Sequence, residues 1–193
     1  MARWDPDAKG KLAEAAMALF VERGYATTTV TDIAAAAGVT ERTFFRHYSD
    51  KREVLFTGSA AVLEAIVGSL TNNGSDDDAF DLVVAAYVDV ATVLEARVER
   101  SHSRARRRLL LDNPELHERE LIKLATMTST MVASLLARGI ANDDAVLAAE
   151  AGMVAFKIGF DRWLDDVDER HSFAAHLRAT VVDLTQLTTR ARR

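Results

Sequence analysis

The chain is predicted to be all-α, and three observations predict it. Of 193 residues only two are proline, alanine and leucine are abundant, and β-branched runs are few. Apolar residues recur at three- and four-residue spacing over most of the length. Plain helix start and stop signals separate the recurring segments. The length suits one or two small domains with a sizeable core. With no cysteine, there is no disulfide framework and no thiolate metal site, as expected of a reducing cytoplasm. No apolar run approaches a membrane span, and the opening residues MARWDPDAKGK lack a signal-peptide core. The expected location is therefore cytoplasmic, away from membranes.

A first helix is expected from about Asp7 to Arg23, with Leu12, Ala16, Leu19 and Phe20 on one face. The segment Thr29–Lys51 then reads as two short helices around a tight turn. Thr29-Val30-Thr31-Asp32 is a capping-box-like start, with an acid in the positive first turn. Ile33, Ala34 and Ala37 recur at helical spacing, and Gly38 supplies the residue that tolerates positive φ where the helix must end. Thr40 caps the second helix, whose Phe44 and Tyr48 point inward at i and i+4. Two helices crossing steeply around a glycine form a helix-turn-helix.

Beyond it, a long helix is expected from near Asp50 to about Leu70. Asn72-Asn73-Gly74-Ser75 is the only clear loop and reads as a boundary by composition. Ser75 or Asp76 is the expected cap of the next helix, with Phe80, Val83, Val84, Tyr87, Leu94 and Val98 on its buried stripe. Asn113-Pro114-Glu115 opens another, running to about Arg138 and stopping at Gly139. Asp143 or Asp144 opens the next, to about Asp165, and Ser172 caps the last. About nine helices result, with no internal repeat.

At its N-terminal third the chain resembles the TetR family of bacterial repressors. The matching positions are Phe20, Gly24-Tyr25 and Thr28-Thr29; then Ile33-Ala34 and Ala37-Gly38-Val39-Thr40; then Thr43-Phe44-Phe45-Arg46-His47-Tyr48, Lys51 and Val54-Leu55. It departs at Phe45, where many members carry a tyrosine, so a phosphate contact from that hydroxyl is lost. The rest of the chain matches only in length and helical character. The resemblance implies a helix-turn-helix DNA-binding domain over residues 1–55 and a helical effector-binding and dimerisation domain over residues 56–193.

The net charge of −5 looks unfavourable for DNA, but the balance is uneven. From Thr40 to Arg52 there are four basic residues, Arg42, Arg46, Lys51 and Arg52, against Glu41 and Asp50. The acid excess lies in Asp76-Asp77-Asp78 and in Asp165, Asp166, Asp168 and Glu169. Phosphate attraction needs a local basic face, not a basic protein. Arg42 and Thr43 at the exposed start of the second helix are the candidates for base contact. Glu41 shares that role equally with a plain first-turn acid. Thr29, Thr40, Arg46, His47 and Lys51 suit phosphates, which fix register without reading sequence. Phe45 is expected to stack or touch a thymine methyl. A dimer places two reading helices in successive major grooves, about 34–36 Å apart, on a palindrome.

The helix from about Asp144 to Asp165 confines Glu150, Lys157 and Asp161 to one polar stripe, and the rest is apolar. Ala148, Gly152, Ala155 and Gly159 form a small-residue strip flanked by Phe156 and Trp163. With Leu177, Val181 and Leu184 of the last helix, that strip and Trp163 are expected at a dimer interface. A fully buried central helix is the alternative. The family resemblance, in which two late helices build a dimeric four-helix bundle, favours the dimer. Tyr87, Met127, Met131, Met153, Phe156 and Phe160 are candidates for an apolar effector cavity, though ordinary core is the commoner use of such residues. In the arginine-rich run Arg97–Arg108, His102 and Arg106 are the candidates to meet an anionic ligand group; most of the run is expected on a solvated face.

No phosphate loop, zinc-protease pattern or nucleophile elbow is present, so neither an enzyme nor a cofactor is expected. Asp165, Asp166, Asp168, Glu169, His171 and His176 are read as solvated turn residues rather than a metal site. The expected function is a transcriptional regulator, a repressor released by a largely apolar small molecule. The competing class is a helical protein–protein interaction module.

Overall fold

The computed structural model describes residues 7–72 and 78–190. Among the described residues there are nine α-helices, one 3-10 turn and no strand. The helices are α1 (Ala8–Arg23), α2 (Val30–Ala36), α3 (Glu41–His47), α4 (Ser59–Asn72), α5 (Ala79–Arg97), α6 (Arg100–Asp112), α7 (Pro114–Ala137), α8 (Asn142–Asp165) and α9 (Phe173–Arg190). The 3-10 turn spans Glu53–Phe56. The chain forms two compact units.

The first unit is the chain up to Ser59 together with Arg104–Glu120. Its core joins Leu12, Ala16 and Phe20 of α1 to Ile33 of α2, Phe44 of α3 and Val54-Leu55-Phe56 of the 3-10 turn. Leu109, Leu110 and Leu116 close it from the end of α6 and the start of α7. That return is invisible in a division of the chain at residue 55. It is held by Arg106, which donates to the Leu55 carbonyl at 3.0 Å and to Glu120 at 2.7 Å. Arg119 donates to both oxygens of Glu53 at 2.7 and 3.1 Å. Both guanidinium groups lie over the Phe56 ring, at 5.2 and 4.9 Å from its centroid. Cation–π stacking and charge-assisted hydrogen bonds thus reinforce each other.

The long helix expected from Asp50 is broken. Gly58 takes φ of +94°, a left-handed conformation that ends the 3-10 turn before α4 starts at Ser59. Of the expected caps for α5, Ser75 and Asp76 lie outside the described residues. Asp78 caps the helix, its Oδ1 accepting from the Phe80 and Asp81 amides at 2.9 and 3.0 Å. The starts at Pro114 and after Ser172 match the sequence signals. Two stretches, Glu53–Asn72 and Pro114–Ala137, reach the length and hydropathy of a membrane span, contrary to the sequence expectation. Both contribute to the cores, through Val54, Ile66 and Leu70 in one and Met127, Met131 and Leu135 in the other.

The second unit is Ala60–Ser103 together with the chain from Leu121 onward. Here α8 packs on α5 and α9, and the small-residue strip makes this possible. A Cβ at Gly152 would lie 2.2 Å from Val83 Cγ1 and 3.3 Å from the Tyr87 ring; one at Gly159 would lie 2.8 Å from the Leu177 Cα. Ala148, Gly152, Ala155, Gly159, Trp163 and Leu177, expected at a subunit interface, are therefore buried within their own chain. The strip is consumed by intramolecular approach. Val181 and Leu184 are only partly buried.

Met127, Met131, Met153, Phe156 and Tyr87 are core residues, with Phe160 packed beside them. The Tyr87 and Phe156 rings are 4.8 Å apart. His102 is exposed, and Arg106 belongs to the first unit, so neither joins this core. The arginine that does turn inward in the second unit is Arg100. Its partners are the carbonyls of Asp166 and His171 at 3.1 and 3.0 Å and the face of Trp163. Glu95 accepts from Trp163 Nε1 at 3.3 Å and from the Phe173 amide at 3.1 Å, which caps α9 from a distant helix.

Gly152→Ala and Gly159→Ala are expected to destabilise the chain by about 1–3 kcal/mol each through overpacking. Gly68, in the middle of α4, has open space where a Cβ would stand, so Gly68→Ala is expected to stabilise by about 0.4–1 kcal/mol. Urea unfolding of the full chain followed by circular dichroism measures all three.

Candidate nucleic-acid interface

Two seven-residue helices carry the candidate site, and each starts with a side-chain cap. Thr29 Oγ1 accepts from the Asp32 amide at 3.1 Å, while Asp32 Oδ2 accepts from the Thr29 amide at 2.9 Å. This is the reciprocal capping box that the sequence predicts. The Thr29 hydroxyl also donates to Asp32 Oδ2, and this bond, with that from the Thr29 amide, holds the Asp32 carboxyl below the usual carboxylate range. Thr40 Oγ1 accepts from the Thr43 amide at 3.2 Å and caps α3. Between them Gly38 takes φ of +68°, and the Val39 amide donates back to the Ala34 carbonyl at 2.9 Å.

Beneath α3, Phe44 is fully buried and Tyr48 nearly so, 5.5 Å apart by ring centroids. The Tyr48 hydroxyl donates to the Lys9 carbonyl at 3.0 Å and pairs with the Thr57 hydroxyl at 2.8 Å, fastening the end of α3 to α1. Burial pushes the Tyr48 phenol above its ordinary pKa. With the inner face so occupied, Glu41, Arg42, Phe45 and Arg46 are exposed and Thr43 is half-buried. Phe45 leaves 55% of its surface open, a large apolar ring among charges.

Three predicted contacts have partners or surroundings that the sequence did not reveal. Glu41 Oε1 accepts from the Thr31 hydroxyl at 2.6 Å, which ties the first turn of α3 to α2. The Lys51 ammonium donates to the carbonyls of Tyr25, Ala26 and Thr28 at 2.8, 3.4 and 3.1 Å, and sits 4.2 Å from the Tyr25 ring centroid. An ammonium has three N–H groups, so this lysine clamps the loop before α2 instead of facing outward. His47 Nε2 is shut from solvent without a hydrogen-bond partner, so a phosphate contact through it requires a rotamer change. Arg42 and Arg46 remain as the exposed cations of α3.

Residues 12–57 match the family model described as bacterial regulatory proteins, tetR family. The match is confined to the N-terminal helix-turn-helix segment, about a quarter of the chain. Over 105 residues it is 33% identical to MftR of Mycobacterium tuberculosis, an overlap covering 54% of this chain and 52% of that protein. It thus spans about half the length of this curated relative. Native NalD, the secondary repressor of the MexAB-OprM multidrug efflux pump in Pseudomonas aeruginosa, shares the fold at a TM-score of 0.62 and 18% identity. That match covers 93% of this chain and 96% of NalD. The SmeT–triclosan complex gives a TM-score of 0.59 at 20% identity, covering 91% and 90%; SmeT is the repressor of the Stenotrophomonas maltophilia multidrug efflux pump SmeDEF. At these identities the two structures speak for the TetR-like fold and nothing finer.

The clamp role of Lys51 separates from any DNA role in one measurement. Lys51→Met keeps the aliphatic stem but removes three charge-assisted bonds, and thermal unfolding is expected to show a loss of about 1–3 kcal/mol. An unchanged Tm would return Lys51 to the phosphate-contact reading.

Proposed function

We propose that this chain is a TetR-family transcriptional regulator that binds a palindromic operator as a homodimer and releases it when a largely apolar small molecule occupies the second unit. One observation carries the DNA reading: α3 is anchored by Phe44 and Tyr48 while its first residues stay exposed. Arg42 can bridge guanine O6 and N7, and Thr43 can touch either kind of base pair. Thr29, Thr40 and Arg46 suit the flanking phosphates, and Phe45 a thymine methyl. Glu41 orients the helix through Thr31 and keeps a second carboxylate oxygen for a cytosine amine. The protein works in the cytoplasm and catalyses no reaction in this role.

The dimer reading rests on a different face of α8 from the small-residue strip. Leu147, Val154 and Ile158 are exposed along one side of that helix, and Val182 is exposed on α9. Positions 147, 154 and 158 fall within one narrow stripe at 100° per residue. A second copy would remove that stripe from water.

The effector reading rests on Tyr87. Its hydroxyl is buried without a hydrogen-bond partner, and burial pushes its pKa well above the ordinary range. Phe156 lies 4.8 Å from its ring, Met127, Met131, Met153 and Phe160 belong to the same core, and methionines re-pack at low cost. An apolar molecule with one hydrogen-bonding group would satisfy the orphan hydroxyl; triclosan, bound to SmeT, is of that kind. Helices α6 and α7 each contribute to both units and would transmit the change. Release requires the effector to bind the DNA-incompetent state more tightly, by about 10⁴-fold for a near-complete switch.

A gel shift against the DNA flanking its own gene tests the core of this reading. Saturable binding that falls steeply with salt is expected, and absence of saturable binding at low salt would overturn it. Arg42→Ala is expected to weaken operator binding by about 1–3 kcal/mol with Tm unchanged. Leu147→Glu combined with Ile158→Glu is expected to shift sedimentation equilibrium from dimer to folded monomer. A variant that sediments as the parent does would dismiss that face as the interface.

A further inference from the structure

The turn between α8 and α9 brings together three side chains that the DNA and effector readings leave unused. We propose that Asp166, His171 and His176 bind a divalent transition-metal ion of the zinc class. One potential ligand atom from each, the Asp166 Oδ2 and a ring nitrogen of each histidine, falls within 4.8 Å of the others. His176 Nε2 is 3.2 Å from Asp166 Oδ2, and His171 Nδ1 is 3.7 Å from the same oxygen. Two ligands of a tetrahedral zinc at bond lengths near 2.0–2.1 Å stand about 3.3 Å apart. The two spacings to Asp166 are thus close to those that the ion requires, while the two histidine nitrogens, within 4.8 Å of each other, would draw together on the ion. Two imidazoles and one carboxylate leave a fourth position for water, and nitrogen donors favour zinc, cobalt or nickel over magnesium or calcium.

The framework around the three is built rather than loose. Asp166 is the C-cap of α8, and His176 lies in the first turn of α9. Their side chains are only 14% and 18% exposed, whereas His171 is 65% exposed and leaves a path for the ion. Asp166 Oδ2 also accepts from the His171 amide at 3.2 Å. Arg100 is the nearby competitor, 3.9 Å from that oxygen, but its hydrogen bonds run to the carbonyls of Asp166 and His171. Glu95 and Glu169 also lie within 4.0 Å of its guanidinium. A bound ion would tie the end of α8 to the start of α9.

The test is titration of the untagged full-length chain with Co²⁺, read by visible d–d absorption, followed by displacement with Zn²⁺. One saturable tetrahedral-type Co²⁺ spectrum per chain is expected, with a rise in Tm of a few degrees in excess Zn²⁺. His171→Ala leaves buried packing untouched and is expected to weaken binding by at least about tenfold. Combining it with His176→Ala is expected to abolish the spectrum while circular dichroism stays native. No saturable spectrum at millimolar Co²⁺ would overturn the proposal, as would a spectrum that persists in the folded double variant.

Discussion

A seven-residue helix does not hold itself in water, and the candidate reading head of this chain consists of two of them. Nucleating a helical turn fixes several dihedrals for one hydrogen bond, so helices this short depend on their ends and on what lies beneath them. Here the ends are Thr29 with Asp32 and Thr40 with Thr43, and what lies beneath is Ile33, Phe44 and Tyr48. Each fully buried side chain of that size is worth about 1.5–3 kcal/mol, far more than the helices gain from propensity. Exposure of Glu41, Arg42 and Arg46 follows from that burial, because α3 has only one face to anchor and one left to present.

The basic residues divide by what they hold. Lys51 is occupied by three backbone carbonyls, Arg106 and Arg119 by carboxylates across the Phe56 ring, and Arg100 by carbonyls beside Trp163. Long cationic side chains with apolar stems serve well as such clamps, since the stem packs while the head finds oxygen. Arg42 and Arg46 are left facing solvent on α3. An acidic chain can therefore present a local basic face.

In the second unit the governing constraint is distance. At Gly152 and Gly159 the neighbouring helices come closer than any Cβ allows, and α8 is seated between α5 and α9 by that absence of side chains. This moves the exposed apolar stripe to the other side of α8, through Leu147, Val154 and Ile158. A small-residue strip marks close helix approach, but it does not say whether the approaching helix belongs to the same chain.

The sequence by itself determined what depends on neighbours within a few residues. The all-α class, the capping box at Thr29, the left-handed Gly38, the start at Pro114 and the anchors Phe44 and Tyr48 all follow from local sterics and a 3.6-residue period. Tertiary structure alone decided the rest. Lys51 finds the carbonyl of Tyr25 across 26 residues, Arg119 finds Glu53 across 66, and Glu95 caps α9 across 78. Cations, acceptors and small residues of this kind can be satisfied by many partners, and only the packed chain selects one. The same holds for Asp166, His171 and His176, which look like a solvated turn in sequence and become a three-donor cluster once α8 and α9 are in place.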